Sequence, residues 1–121
     1  MSDPRHLRRM KLVQNLFSVS FPGSKAELPN PDAPIEDILQ HLPAIDEKIR
    51  THAPKYPLER IAKSDLAILR LSVYELTVAQ EEPPKVVIDE AVTLAREFGS
   101  DRSYAFVNAV LGAIFKTTKK P

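Results

Sequence analysis

The side chains that could move protons or hold metals are few and scattered along this chain. His6, His41 and His52 are the three histidines, the groups whose ordinary titration falls near neutral pH. None belongs to an H-E-x-x-H pair, and no acidic loop has the spacing of a calcium site. They read as solvent-exposed polar residues. No G-x-S-x-G elbow and no Gly-rich phosphate loop occurs. Asp89 and Glu90 are adjacent, so on a helix they point to different sides and make no catalytic carboxylate pair. There is no cysteine, which excludes disulfides and thiolate metal sites and allows a reducing compartment. These residues point to a binding protein without enzymatic activity, cofactor or metal.

Two places could serve binding. Glu75 sits in a mostly apolar stretch, Asp65-Leu-Ala-Ile-Leu-Arg-Leu-Ser-Val-Tyr-Glu-Leu76. A carboxylate there is either paired internally or kept for a cationic partner. Arg70, five residues earlier, stacks poorly with it on a helix. The second place is Gly99-Ser-Asp-Arg-Ser-Tyr-Ala-Phe106. It combines amide donors, hydroxyls, Arg102 and two aromatic rings at a helix start. Such a start can hold phosphate, and rings beside arginine can stack unpaired bases. A plain capped turn with core aromatics fits the same residues.

The elements that must position these groups are helices. Asp3 as N-cap and Pro4 at the first helical position open a helix to about Ser18. Leu7, Met10, Val13, Gln14 and Phe17 share one side, and Arg5, Arg8 and Arg9 share another that continues into Leu12 and Leu16. Phe21 to Ala33, with three prolines and a glycine, reads as a mobile loop. Pro34 to about His52 is helical, divided by Pro43 into two short helices meeting near Leu42. Leu58 to Ala62 makes a single turn. Ser64 or Asp65 caps a helix through about Ala79 that is apolar nearly all round, and so central. Pro84 to Phe98 follows, with Val87, Ala91, Leu94, Ala95 and Phe98 on one face and Gly99 at C′. Asp101 caps the last helix, whose apolar set is Phe106, Val107, Val110, Leu111, Ile114 and Phe115. From Lys116 the tail frays. Strand signals are nearly absent.

The 121 residues suit a single all-α domain over 1–121, a compact helical bundle of six to seven helices. No secretory h-region opens the chain, and no apolar run approaches the length that crosses a bilayer. A cytoplasmic address is expected. The formal net charge of +1 hides an uneven distribution. Arg5, Arg8, Arg9 and Lys11 face one acid, Asp3, in the first twenty residues, and Lys116, Lys119 and Lys120 close the chain. Glu27, Asp32, Glu36, Asp37, Asp46 and Glu47 form an acidic flank. Basic ends can present one positive face to a polyanion, or merely solubilise the chain.

Four stretches together resemble the NusB family of bacterial transcription antitermination factors. They are Leu42-Pro-Ala-Ile-Asp-Glu-Lys-Ile49, the apolar stretch 65–76, Pro84-Lys-Val-Val-Ile-Asp-Glu-Ala-Val92 and Phe106-Val-Asn-Ala-Val-Leu111. Arg9 with Val13-Gln14-Asn-Leu-Phe17 resembles the family's arginine-rich opening helix. The chain departs from the family pattern at Asp89, usually Asn, and at Ala109, usually Gly. Tyr56 and Phe17 stand where the family has Trp and Tyr, and the Pro-rich loop replaces a further helical segment.

The resemblance implies two small helical sub-bundles and a non-enzymatic role in transcription regulation. It implies binding of boxA-type single-stranded RNA together with NusE, the small-subunit ribosomal protein. The pair then assists the RNA polymerase elongation complex through ribosomal RNA operons. By position, Arg5, Arg8, Arg9, Arg96, Phe98, Arg102, Ser103 and Phe106 would meet RNA, and Phe17 and Glu75 would meet NusE. The alternatives are a NusB-like module serving a ribosomal RNA methyltransferase, disfavoured because no catalytic domain follows Pro121, and a protein that dimerises through a helix face.

Overall fold

In the computed structural model, residues 3–21, 23 and 27–118 are described. Pro22, residues 24–26 of the Pro-rich loop, and Lys119 and Lys120 of the basic tail lie outside the described residues. Six α-helices are present among the described residues, and no strand.

The first helix, α1 (Pro4–Val19), opens as its residue types dictate. The Asp3 carboxylate accepts from the Arg5 amide at 2.9 Å, and Pro4 occupies the first turn. Its buried residues come from both of the sides that the spacing distinguishes. Arg9, Leu12, Val13, Asn15 and Leu16 are buried, whereas Leu7 and Phe17 are exposed. On the arginine side Arg9, Leu12 and Leu16 are buried, while Arg5 and Arg8 stay exposed. Arg9 can enter because carboxylates await it there.

Pro43 divides the next segment as expected: α2 (Glu36–Gln40) ends at His41, and α3 (Leu42–His52) takes Pro43 into its first turn. There the missing amide costs nothing. A 3₁₀ turn at Leu58–Arg60 leads to α4 (Lys63–Tyr74). Neither Ser64 nor Asp65 caps α4. The N-cap is Ala62, without a side-chain bond, and both polar residues lie in the first turn. The expected helix to Ala79 is met differently: from Glu75 to Ala79 the chain widens into a π-helical turn. Gln80 closes it in the left-handed region, φ 50 and ψ 35, with its amide donating to the Glu75 carbonyl at 2.9 Å.

Helix α5 (Pro84–Phe98) buries Val87, Ala91, Leu94 and Ala95. Gly99 follows at extended φ, not in the left-handed conformation expected of a C′ glycine. Its constraint is space: a Cβ there would run into the Ser103 side chain and the Ala95 carbonyl. Helix α6 (Ser103–Thr118) starts two residues after Asp101. Ser100 and Ser103 close that turn in place of an Asp101 cap, the Ser100 amide donating to Ser103 Oγ at 2.9 Å and the Ser103 amide to the Ser100 carbonyl at 3.0 Å.

Helix α4 is the hub, packed against α1, α3, α5 and α6. Ile68, Leu69 and Val73 are wholly buried within it. Truncating Ile68 to alanine is expected to cost about 2–5 kcal/mol. Arg70 does not reach Glu75. It grips Asp46 of α3 with two hydrogen bonds of 3.0 and 2.9 Å.

Part of the loop expected to be mobile is tied down. The wholly buried Asn15 donates to the carbonyls of Asn30 (2.8 Å) and Ala33 (2.7 Å), and its oxygen accepts from the Asn30 amide (2.9 Å). Lys11 adds an exposed ion pair to Asp32 at 2.6 Å, which holds the Asp32 carboxyl below its usual range.

Candidate nucleic-acid interface

The basic start of α1 is largely neutralised. Arg9 Nε donates to Glu75 Oε2 at 2.9 Å and Nη2 to Oε1 at 2.7 Å, a bidentate fork. The same guanidinium bonds Glu82 and reaches Glu90 at 3.4 Å. Its side chain is 8% exposed. Arg9 is thus an internal cation, and the choice left open for Glu75 falls on internal pairing. Arg5 is exposed and pairs with Glu82 at 2.8 Å and Asp3 at 3.7 Å. Arg8 is exposed and makes no ion pair among the described residues.

His6 is not the solvent-exposed residue expected. Its Nδ1 lies 3.0 Å from Glu90 and its Nε2 2.8 Å from Glu97. Ionised carboxylates only accept, so carboxylates facing both ring nitrogens favour the protonated ring. Its pKa is raised chiefly by the bond to Glu90, against the opposing effect of burial, with Glu97 adding to the rise. His41 and His52 bond the carbonyls four residues back, of Asp37 and Lys48.

The three arginines line a cavity of about 390 Å³ with Asp37, Tyr74, Glu75, Glu81 and Glu82. Tyr74 donates to the Asp37 carboxylate, which pushes the phenol up to about 12. This cavity carries both signs of charge in quantity, so it is a poor phosphate site except at its rim, where Arg5 and Arg8 stand.

The second group gathers at the start of α6. Tyr56 and Phe106 meet edge-to-face, centroids 5.3 Å apart. They line a cavity of about 170 Å³ with Arg60, Arg102, Asp65, Ser100 and Ser103. Arg60 and Arg102 are exposed and make no ion pair among the described residues. Arg96 is exposed and lies over the Tyr104 ring, 4.7 Å from its centroid. Ser103 is buried and bonded to Ser100, so it shapes the turn. Sequence reasoning missed Arg60, Asp65 and the part played by Tyr56, because the 3₁₀ turn that carries Arg60 gives no periodic signal.

The two groups do not share a cavity, but they are not at opposite ends of the molecule. The His6–Glu97 contact sets the start of α1 against the last turn of α5, one residue from Arg96. A third cavity, about 480 Å³, unites Phe17 with Phe98, beside Val13, Pro29 and Ser64. Phe17 also stacks edge-to-face on Phe21 at 5.0 Å, and Lys63 lies 5.4 Å from the Phe21 ring centroid. The residues assigned separately to RNA and to a protein partner, Phe98 and Phe17, thus line one apolar hollow.

No metal-binding cluster of His, Asp or Glu exists among the described residues, and no helix there is long and apolar enough to cross a membrane. Comparison with known proteins agrees with the helical layout. The chain is similar to "Transcription antitermination protein NusB" of Treponema denticola, 46% identical over 76 residues, 63% of this chain and 56% of that protein. The Bacillus subtilis protein of the same name is 42% identical over 80 residues, 66% of this chain and 61% of that one. The chain thus matches less than two thirds of the length of these relatives.

The solved structure of T. maritima NusB superposes with a TM-score of 0.80 at 30% identity, covering 96% of this chain and 93% of that one. A chain in a crystal structure of a plectonemic RNA supercoil gives the same TM-score at 24% identity, a likeness of fold. The NusB family profile matches residues 32–116, from the end of the Pro-rich loop through nearly all of α6, and on that match the chain belongs to the NusB family.

Proposed function

We propose that this protein is a transcription antitermination factor that binds boxA-type single-stranded nascent RNA together with NusE. In this reading it accompanies the RNA polymerase elongation complex through ribosomal RNA operons and performs no chemistry. The observation that carries the reading is the start of α6. There the unpaired Arg60 and Arg102 flank the Tyr56–Phe106 ring pair, with Arg96 over Tyr104 nearby. Free guanidinium groups draw phosphates, and partly exposed rings stack unpaired bases. The names of the similar proteins support the same role.

Within this reading, Arg8, Arg96 and Arg102 meet phosphates, and Arg5 joins them once it leaves Glu82. Phe106 and Phe98 offer rings, and Ser103 holds the turn amides in place. Arg9 acts indirectly, by fixing α1. NusE takes the exposed Phe17 and the Glu75 rim, where a basic partner group would compete with Arg9 for the carboxylate. The test is fluorescence anisotropy with a boxA-type RNA and a scrambled RNA, each with and without NusE. The reading expects tighter binding of the boxA-type strand, further tightened by NusE. Equal binding of both strands, with NusE present, would overturn it.

A further inference from the structure

Asp65 stands out among the buried polar groups. Its residue is 8% exposed, and its Oδ1 is fully buried with no hydrogen-bond partner in the protein. Position in the first turn of α4 gives the negative charge a favourable helix dipole. It does not give Oδ1 a donor, and a buried acceptor without one is costly. Asp65 is one of the residues that line the small cavity at the start of α6, where Arg60 and Arg102 also stand without bonding it. The other wall is the Tyr56–Phe106 pair.

We propose that this cavity takes one guanine of a single-stranded RNA, read by Asp65. The proposal rests on the RNA-binding reading above and adds a base and a reader to it. An ionised Asp only accepts hydrogen bonds, so the ligand edge facing it must donate. Guanine presents an imino N–H beside an amino group on its Watson–Crick edge, two parallel donors for the two carboxylate oxygens once the side chain turns its buried Oδ1 toward the cavity. Adenine and cytosine offer one amino donor beside a ring acceptor, and uracil one N–H between two carbonyl acceptors. The cavity, about 170 Å³, holds the liquid-volume share of roughly five or six waters, the scale of a planar base without its sugar. The ring stacks on Phe106 or Tyr56, and the flanking phosphates fall to Arg102 and Arg60, which neutralise them outside the cavity.

The test measures binding of a short single-stranded RNA by anisotropy, with guanine or with inosine, which lacks the amino group, at the same positions. Wild-type protein is expected to bind the inosine strand about tenfold more weakly, the loss of one hydrogen bond to a charged group. In Asp65→Asn the two strands should bind alike, with the helical circular dichroism unchanged. Equal binding of both strands by wild type overturns the guanine pocket and leaves RNA binding standing. Absence of binding to either strand overturns the RNA reading and the pocket with it. A tenfold difference persisting in Asp65→Asn overturns Asp65 as the reader. Should Asp65→Asn fail to fold, the exposed Tyr56→Ala replaces it, and unchanged affinity for the guanine strand there counts against the pocket. Guanosine monophosphate binding as tightly as the strand would make this a free-nucleotide site and overturn the RNA assignment.

Discussion

Arg9 and Glu75, 66 residues apart in sequence, hold each other in a bidentate ion pair that joins α1 to the π-helical turn after α4. Glu82 and Glu90 share the same guanidinium. Removing one side of a buried pair leaves an uncompensated charge. Arg9→Ala is therefore expected to lower unfolding free energy by about 3 kcal/mol in chemical denaturation. Arg9→Lys should lose much of that too, because an ammonium cannot reproduce the fork. A loss below about 1 kcal/mol, the scale of a surface pair, would show that the network is dispensable.

The His6 clamp makes stability depend on pH. Its folded-state pKa lies above the ordinary 6.5, so protonation favours the folded form. The contribution is fully present below about 6.5 and is lost as pH rises through the folded value. Thermal melts across that window should show wild type losing its margin over His6→Gln as pH rises. A margin that is constant, or that grows with pH, contradicts the clamp.

Asn15 anchors the chain before α2 to α1. Asn15→Ala leaves the Asn30 amide and the Ala33 carbonyl without their buried partner, at a cost of about 1–3 kcal/mol. Hydrogen exchange should show faster exchange of the Asn30 and Ala33 amides in the variant, with α4 protection nearly unchanged. Unchanged exchange at both amides would show that other contacts hold this segment.

Phe17 is exposed beside Phe98 and Phe21. Phe17→Ala should leave the melting temperature nearly unchanged and weaken NusE binding about tenfold or more in calorimetry, as expected of an aromatic anchor. Unaltered NusE affinity would move the partner surface elsewhere.

Much of the helix layout is legible in the residues. Pro4, Pro43 and Pro84 each sit where a helix begins, and the apolar period of 84–98 matches its buried face. Two of the failures, at Arg9 and Asn15, have one physical origin, long-range pairing of polar groups. The spacing groups Arg9 with Arg5 and Arg8 on one side of α1, and those two are exposed. Only the approach of Glu75, Glu82 and Glu90 draws Arg9 inside, and no local signal announces it. Asp65 looks like a cap because acids favour helix starts, but it lies inside the first turn with one oxygen unpaired. Asn15 was hidden in an amphipathic stretch because its partners are backbone groups 15 and 18 residues away. The aromatic and arginine residues of 99–106 were visible as a group. Arg60, which completes them, lies in a 3₁₀ turn that carries no pattern.

The most direct measurement is the salt dependence of single-stranded RNA binding by wild type and by the double variant Arg60→Gln with Arg102→Gln. Each phosphate neutralised in a single strand contributes about 0.7 to the slope of log affinity against log salt. The double variant should bind more weakly and lose about 1.4 from that slope, twice the single-phosphate value, with its melting temperature unchanged. A slope equal to that of wild type would contradict the account, because the start of α6 would then carry no RNA phosphate.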